Sequence, residues 1–171
     1  RKRIVWLLIL MISATVSGYI IRRYQVAIEA VVALTAFIPM LMDTGGNAGS
    51  QSSVTVIRSL ALGQLKFSDI LKVIRKELQI SVLVGFGLTV VNFIRIYFLE
   101  GYDLSIALTI SLTLFLTIIF AKLIGGTLPM LAKKVGLDPA IMASPLITTI
   151  VDAVSLIVYF SLAVRILHIA V

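Results

Sequence analysis

Five long apolar segments occupy most of this 171-residue chain and leave room for little besides membrane-spanning helices. They cover residues 4–21, 26–42, 78–99, 104–128 and 139–169. A helix needs about 20 mostly apolar residues to cross the hydrocarbon core of a bilayer. The composition agrees, because 60% of the residues are hydrophobic and only 13% are charged, against about a quarter charged in soluble domains. We therefore predict an all-α integral membrane protein with five transmembrane helices per chain.

The basic residues predict the orientation of these helices, because cytoplasmic loops are enriched in Lys and Arg. With a cytoplasmic N-terminus, ten basic residues fall inside (Arg1, Lys2, Arg3, Arg58, Lys66, Lys72, Arg75, Lys76, Lys133 and Lys134) and three outside (Arg22, Arg23 and Arg165). We therefore expect a multi-pass protein of the cell membrane with its N-terminus inside and its C-terminus outside. The same asymmetry explains the net charge of +7 without a nucleic-acid partner. The first apolar segment is long and lacks a small-residue cleavage site, so we expect it to be retained rather than removed as a signal peptide.

Asp152 is the most informative polar residue, since it lies near the middle of the fifth apolar segment. An ionisable group inside a bilayer costs several kcal/mol and usually has a function. Ser144, Thr148, Asp152, Ser155 and Tyr159 recur at steps of three and four, which places them on one helical face. A hydrogen-bonded stripe between helices would explain the hydroxyls, but it would not explain the carboxylate. We therefore predict a functional site at Asp152.

The stretch PMLMDTGGNAGSQSS, residues 39–53, ends the second apolar segment with polar and glycine residues. On a helix, Asp43 and Asn47 would share a face, and Gly45 and Gly49 would form the small-residue spacing that lets helices approach closely. Glycines also weaken a helix and can free backbone carbonyls to face a cavity. We predict a break in a pore-lining helix here, with a surface loop as the alternative.

The other charged residues can be explained by structural roles or by positions near the membrane interface. Asp138 precedes Pro139 in GLDPA, a pattern typical of a helix N-cap, and a cation contact at a pore mouth is the alternative. Glu29 fits either an interfacial or a pore-facing position. Arg95 and Lys122 lie within spans and are expected to extend toward the interface, unless one of them reaches inward as a basic partner for Asp152. The carboxylates expected at the membrane interface are Asp69, Glu77, Glu100 and Asp103.

The available ligand atoms favour a hard cation. The chain has no cysteine and a single histidine, His168, which disfavours zinc or copper sites. Carboxylate, hydroxyl, amide and carbonyl oxygens suit Mg²⁺ or Ca²⁺. Because Mg²⁺ releases its water reluctantly, a site with few carboxylates would hold a largely hydrated ion. One central aspartate per chain makes a poor site alone, so a two-fold homodimer is the economical arrangement.

The motifs PMLMDTGGNAGSQSS, VIRSLALG, GLDPA and SPLITTIVDAVSLIVYF together resemble the transmembrane domain of MgtE-type magnesium channels. The resemblance covers essentially the whole chain. It implies a homodimer in the membrane lipid, with a pore between the subunits that is lined by the second and fifth helices. It also implies that Asp152 binds a hydrated Mg²⁺ and that Thr148 and Ser144 line the same site.

The resemblance further implies that the glycine-rich stretch contributes backbone oxygens to the metal site. The resulting metal-site residues are Asp152, Thr148, Ser144, Gly45, Gly46, Asn47 and Gly49, with Asp43, Asp138 and Thr149 as secondary candidates. Residues 1–171 are expected to form one transmembrane pore domain, without the cytoplasmic N domain and paired CBS domains that family members typically carry before the first span.

The leading functional hypothesis is a channel that passes hydrated Mg²⁺ down its electrochemical gradient, with Mn²⁺, Co²⁺ and Ca²⁺ as further candidate ions. A proton- or sodium-coupled divalent cation exchanger is the alternative. An intramembrane aspartyl protease using Asp43 and Asp152 is disfavoured, because the chain has no Gly-x-Gly-Asp motif. A simple membrane anchor would not need Asp152, so we expect a transport protein rather than an enzyme or an anchor.

Overall fold

The computed structural model of the protein describes residues 2–142 and 144–169, and these residues form helices and short connections without a strand. The all-α prediction is therefore confirmed for this part of the chain. Two 3₁₀ turns lie at Phe67–Asp69 and Pro139–Met142, and a π-helical turn lies at Arg95–Leu99. The α-helices are α1 (Lys2–Arg23), α2 (Gln25–Ala30), α3 (Ala33–Ala61), α4 (Ile70–Ile94), α5 (Leu104–Lys134) and α6 (Ser144–Ile166).

Three helical stretches among the described residues are long and apolar enough to cross a membrane: Phe67–Leu99, Leu104–Lys134 and Pro145–Ile166. They correspond to the predicted third, fourth and fifth spans, and they make the chain a multi-pass membrane protein. The predicted spans at residues 4–21 and 26–42 fall on α1, α2 and α3. Within the described residues, these helices are not counted among those long and apolar enough to cross a membrane. Five spans therefore remain a prediction.

The helix break predicted at the glycine-rich stretch is wrong. α3 runs without interruption from Ala33 to Ala61 and includes all the glycines of residues 39–53. The interruption comes earlier, where α2 ends at Ala30 and Val31 leaves the helical conformation with φ −137° and ψ 83°. Glycine weakens an isolated helix by about 1 kcal/mol per residue relative to alanine. In α3 that weakness is offset by close packing against other helices.

The charged segment of residues 64–77 is for the most part the beginning of α4. The 3₁₀ turn Phe67–Asp69 leads directly into Ile70–Ile94, and the helix continues through the π turn to Leu99. The carboxylate of Asp69 accepts a hydrogen bond from the backbone N–H of Lys66 at 3.1 Å, which closes this turn.

The core lies where α3, α5 and α6 pack together, and α4 covers the other side of α5. The hydroxyl of Tyr159 in α6 donates to the carbonyl of Leu34 in α3 at 2.9 Å, which joins the two helices inside the core. Outward-facing residues of α4 such as Leu83 and Phe86 are exposed, as suits a surface in contact with lipid. The buried core residues include Leu34, Phe37, Leu41, Ile110, Leu114, Ile118, Leu156, Tyr159 and Phe160.

Candidate ion-binding site

The glycines of α3 are buried where this helix crosses α5 and α6. A Cβ atom added to Gly45 would lie 2.6 Å from Thr117 Cγ2 of α5, and one added to Gly46 would lie 3.0 Å from Thr148 Cγ2 of α6. A Cβ on Gly49 would lie 3.1 Å from the carbonyl oxygen of Ala121. Any larger residue would push these helices apart, so the close approach predicted from the small-residue spacing is confirmed.

The closest contact is between two glycines on different helices. A Cβ on Gly125 of α5 would lie 2.1 Å from the carbonyl oxygen of Gly49 and 2.8 Å from its carbonyl carbon. These are backbone atoms, so no side-chain rotation could relieve the overlap. Gly125, which the sequence analysis did not assign to the site, therefore fixes the distance between α3 and α5 beside it.

Asp43 and Asn47 lie one turn apart on the face of α3 that is left exposed. Asp152 of α6 is partly buried, and Gly45, two residues after Asp43, lies against Val151, the residue before Asp152. Among the described residues, no third His, Cys, Asp or Glu joins them. The structure thus places the strongest sequence candidate, Asp152, and the secondary candidate Asp43 on two helices that pack together.

The threonines at the start of α6 both hydrogen-bond to the same carbonyl. The hydroxyls of Thr148 and Thr149 each donate to the carbonyl of Pro145 at 2.9 Å. A hydroxyl that donates its hydrogen in this way keeps its lone pairs free to accept from a water molecule or to face a cation. Ser144 begins α6, and its side chain lies outside the described part of the chain.

The polar residues that share one face of α6 differ in their surroundings along the helix. Ser155 is buried and donates to the carbonyl of Val151 at 2.7 Å, and Tyr159 is buried and donates to Leu34. The explanation by hydrogen bonds between helices is therefore confirmed for Tyr159, whereas the hydroxyl of Ser155 bonds within α6. Asp152 is only partly buried, and its charge is not explained by helix packing.

Asp138 caps the short helix that follows it. Its Oδ1 atom accepts a hydrogen bond from the backbone N–H of Ala140 at 2.9 Å, at the start of Pro139–Met142. The capping interpretation is therefore confirmed. The residue is exposed beside a cavity of about 270 Å³ that Lys133 and the end of α3 also line. A cation contact of Asp138 stays a prediction.

Two charged residues are buried within the protein. Glu77, expected at the membrane interface, has 6% of its surface exposed, and Lys122, expected either to extend toward the interface or to reach inward, is equally buried. Both are held within the protein by Ser52. By contrast, Arg95 is partly exposed and pairs with Glu100 at 2.9 Å.

Apolar helices of membrane-spanning length, with Asp43 and Asp152 on two helices that pack together, define a multi-pass membrane protein with a candidate cation site. The chain belongs to the MgtE family: the family model described as "Divalent cation transporter" matches residues 38–162. The predicted family is therefore confirmed.

Relatives from three bacteria carry the name magnesium transporter MgtE. The Thermus thermophilus protein is 35% identical over 161 residues, which cover 94% of this chain and 35% of the relative. The Bacillus subtilis protein is 35% identical over 167 residues, covering 98% and 37%. The Enterococcus faecalis protein is 31% identical over 164 residues, covering 95% and 36%. The chain thus spans about a third of the length of these relatives, which are named as transporters and not as enzymes.

Proposed function

We propose that this chain forms the pore of a Mg²⁺ channel, through which the hydrated ion moves down its electrochemical gradient. The observation that carries the proposal is the packing of α3 on α6, in which Gly45, two residues after Asp43, lies against Val151, the residue before the partly buried Asp152. Two like charges held together in a low-dielectric region are costly. A divalent cation between them neutralises both charges at once, so the protein gains most from an ion of charge two.

The remaining ligand atoms suit an ion that keeps its water. Mg²⁺ retains several waters in protein sites and is often held by only one or two carboxylates. Asn47 is exposed one turn from Asp43, and the Thr148 hydroxyl oxygen keeps free lone pairs. We assign these groups, together with Ser144 and Thr149, to contacts with the waters of the ion. Gly45, Gly46 and Gly49 are buried against α5 and α6, so we assign them to holding α3 close to these helices.

We further propose a homodimer in which α3 and α6 of two subunits face each other across a two-fold axis. One chain supplies two carboxylates, and the two-fold operation would supply four. The exposed polar face with Asp43 and Asn47 would then be covered by its symmetry copy instead of by lipid. The excess of Lys and Arg in the predicted inner loops supports a cytoplasmic N-terminus and an external C-terminus.

The test is Mg²⁺ flux into liposomes that contain the purified protein and an internal Mg²⁺-sensitive dye. Asp152→Asn keeps the shape of the side chain and removes its charge. We expect the flux to fall by about tenfold or more, because a hydrogen bond to a charged group contributes about 1.5–3 kcal/mol. Asp103→Asn, at an exposed residue before α5, makes the same charge change away from the site and is expected to leave the flux unchanged. Unchanged flux in Asp152→Asn would refute the site.

A proton- or sodium-coupled exchanger is the second candidate, and the same pair of carboxylates favours it. A proton or Na⁺ at Asp43 or Asp152 would also compensate negative charge at the site, and its exchange against a divalent cation would couple the two movements. Mg²⁺ flux that persists when the proton and sodium gradients are collapsed at a fixed voltage supports the channel. Flux that stops under these conditions supports the exchanger.

A further inference from the structure

A second group of charged residues lies inside the protein, away from Asp43 and Asp152. The hydroxyl of Ser52 in α3 donates to Oε2 of Glu77 in α4 at 2.6 Å. The Nζ atom of Lys122 in α5 donates to the same hydroxyl at 3.4 Å. The three side chains are 3%, 6% and 6% exposed. One serine therefore links two opposite buried charges and three helices.

These charges are costly to bury unless they compensate each other. An isolated ion in a low-dielectric interior is strongly disfavoured, and breaking a buried pair leaves the other charge uncompensated. Glu77 packs tightly against Gly126 of α5, where an added Cβ would lie 2.9 Å from its Cγ. Glu77 also borders a cavity of about 250 Å³ that Lys72 and Lys76 line.

The position of Ser52 on α3 connects this group to the candidate ion site. Ser52 follows Gly45 and Gly49 at steps of seven and three, so the three residues share the buried face of α3. Asp43 lies nine residues before Ser52, which at about 100° per residue places it on the opposite side of the helix. The two residues are about 14 Å apart along the helix axis, at a rise of 1.5 Å per residue. A rotation of α3 at Ser52 therefore turns Asp43 by the same angle.

We propose that Ser52, Glu77 and Lys122 form a charged clamp that fixes the rotation of α3 and thereby positions Asp43 and Asn47 relative to Asp152. The clamp residues are positioning residues, because they act on the ion through α3. The test of this inference by Mg²⁺ flux rests on the proposed function, whereas the test by thiol modification does not.

The first test uses charge removal at the clamp. Glu77→Gln and Lys122→Gln each leave one buried charge without its partner, whereas the double variant leaves none and keeps amides that can hydrogen-bond to Ser52. We expect each single variant to change the half-saturating Mg²⁺ concentration in liposomes by about tenfold. A change of this size lies within the range of interaction energies between coupled neighbouring residues. The double variant should return to within about threefold of the parent. Lys76→Gln removes an exposed charge beside Glu77 and should change nothing.

The second test does not depend on ion conduction. Because the chain has no cysteine, Asn47→Cys introduces a single thiol on the exposed face of α3. Its rate of modification by a water-soluble methanethiosulfonate reagent reports the position of that face in the absence of Mg²⁺. Glu77→Gln and Lys122→Gln should each change this rate by about tenfold, and the double variant should restore it.

The outcomes separate the clamp from the proposed channel. Purified protein that passes no Mg²⁺ would refute the channel, while the rate at Asn47→Cys would still test the clamp. Single variants that lower only the melting temperature, with parent-like modification rate and Mg²⁺ dependence, would show a purely structural role and overturn the clamp. If the single variants fail to fold, the double variant decides: a folded, parent-like double variant supports the clamp, and one that also fails overturns it.

Discussion

Replacing Gly125 with alanine tests the closest helix contact in the protein. The added Cβ would lie 2.1 Å from the carbonyl oxygen of Gly49. Contacts between carbon and a carbonyl oxygen are ordinarily about 3.3 Å or longer, so α3 and α5 must separate by about 1.2 Å. Overpacking of a well-packed interior costs about 1–3 kcal/mol. We expect a cost of about 3 kcal/mol, because the atoms in conflict belong to the backbone.

Gly87→Ala in α4 is the matched control. An added Cβ on Gly87 would have nothing within 4 Å, and alanine is a better helix former than glycine by about 1 kcal/mol. The same gain applies to Gly125→Ala, so the two substitutions should differ by the overpacking cost of about 3 kcal/mol in their effect on the free energy of unfolding. For a chain of this size, about 2–4 °C per kcal/mol corresponds to a difference of about 6–12 °C in melting temperature.

Thermal unfolding of the detergent-purified variants, followed by fluorescence-detected size-exclusion chromatography, measures this difference. We expect Gly125→Ala to melt well below the parent and Gly87→Ala to melt at or slightly above it. Because α3 carries Asp43 and Asn47, the Mg²⁺ flux of Gly125→Ala should also fall when it is normalised to folded protein. Equal melting temperatures for the two variants would refute the backbone contact between α3 and α5.

Two further substitutions separate structural roles from ion contacts. Tyr159→Phe removes the buried hydrogen bond to Leu34 and should cost about 1 kcal/mol in the free energy of unfolding, with Mg²⁺ flux per folded protein unchanged; an unaltered melting temperature would contradict this. Asp138→Ala removes the helix cap at Ala140 and should cost about 1 kcal/mol, whereas Asp138→Asn keeps the cap. The half-saturating Mg²⁺ concentration should stay at the parent value in both variants of Asp138, and a change shared by both would assign an ion contact to this residue.

The length of the apolar runs was enough to predict the positions of α4, α5 and α6, because hydrophobic length is a direct requirement of the bilayer. The course of α3 could not be predicted in the same way. Glycines weaken a helix in isolation, and only the contacts of Gly45 and Gly49 with other helices show why α3 continues through them. The spacing of these two glycines carried the correct signal for close packing, and the predicted break gave too much weight to their flexibility.

The charged clamp was missed because burial of a charge depends on the rotation of its helix. A signal was present in α4, where Glu77, Ser81 and Gly85 follow one another at steps of four on a helix that is otherwise mostly apolar. Polar and small residues at this spacing mark the face that points into the protein. The nearness of Asp43 to Asp152 carried no such signal, since it depends on how α3 and α6 cross.

The most direct test of the proposed ion site is an electron cryomicroscopy structure of the protein in lipid nanodiscs, determined with Mg²⁺ and again with a chelator. We predict a two-fold dimer in which density for a hydrated ion lies between the two Asp152 side chains with Mg²⁺ and disappears with the chelator. A monomer, or ion density confined to another position such as Asp138, would contradict the proposed pore.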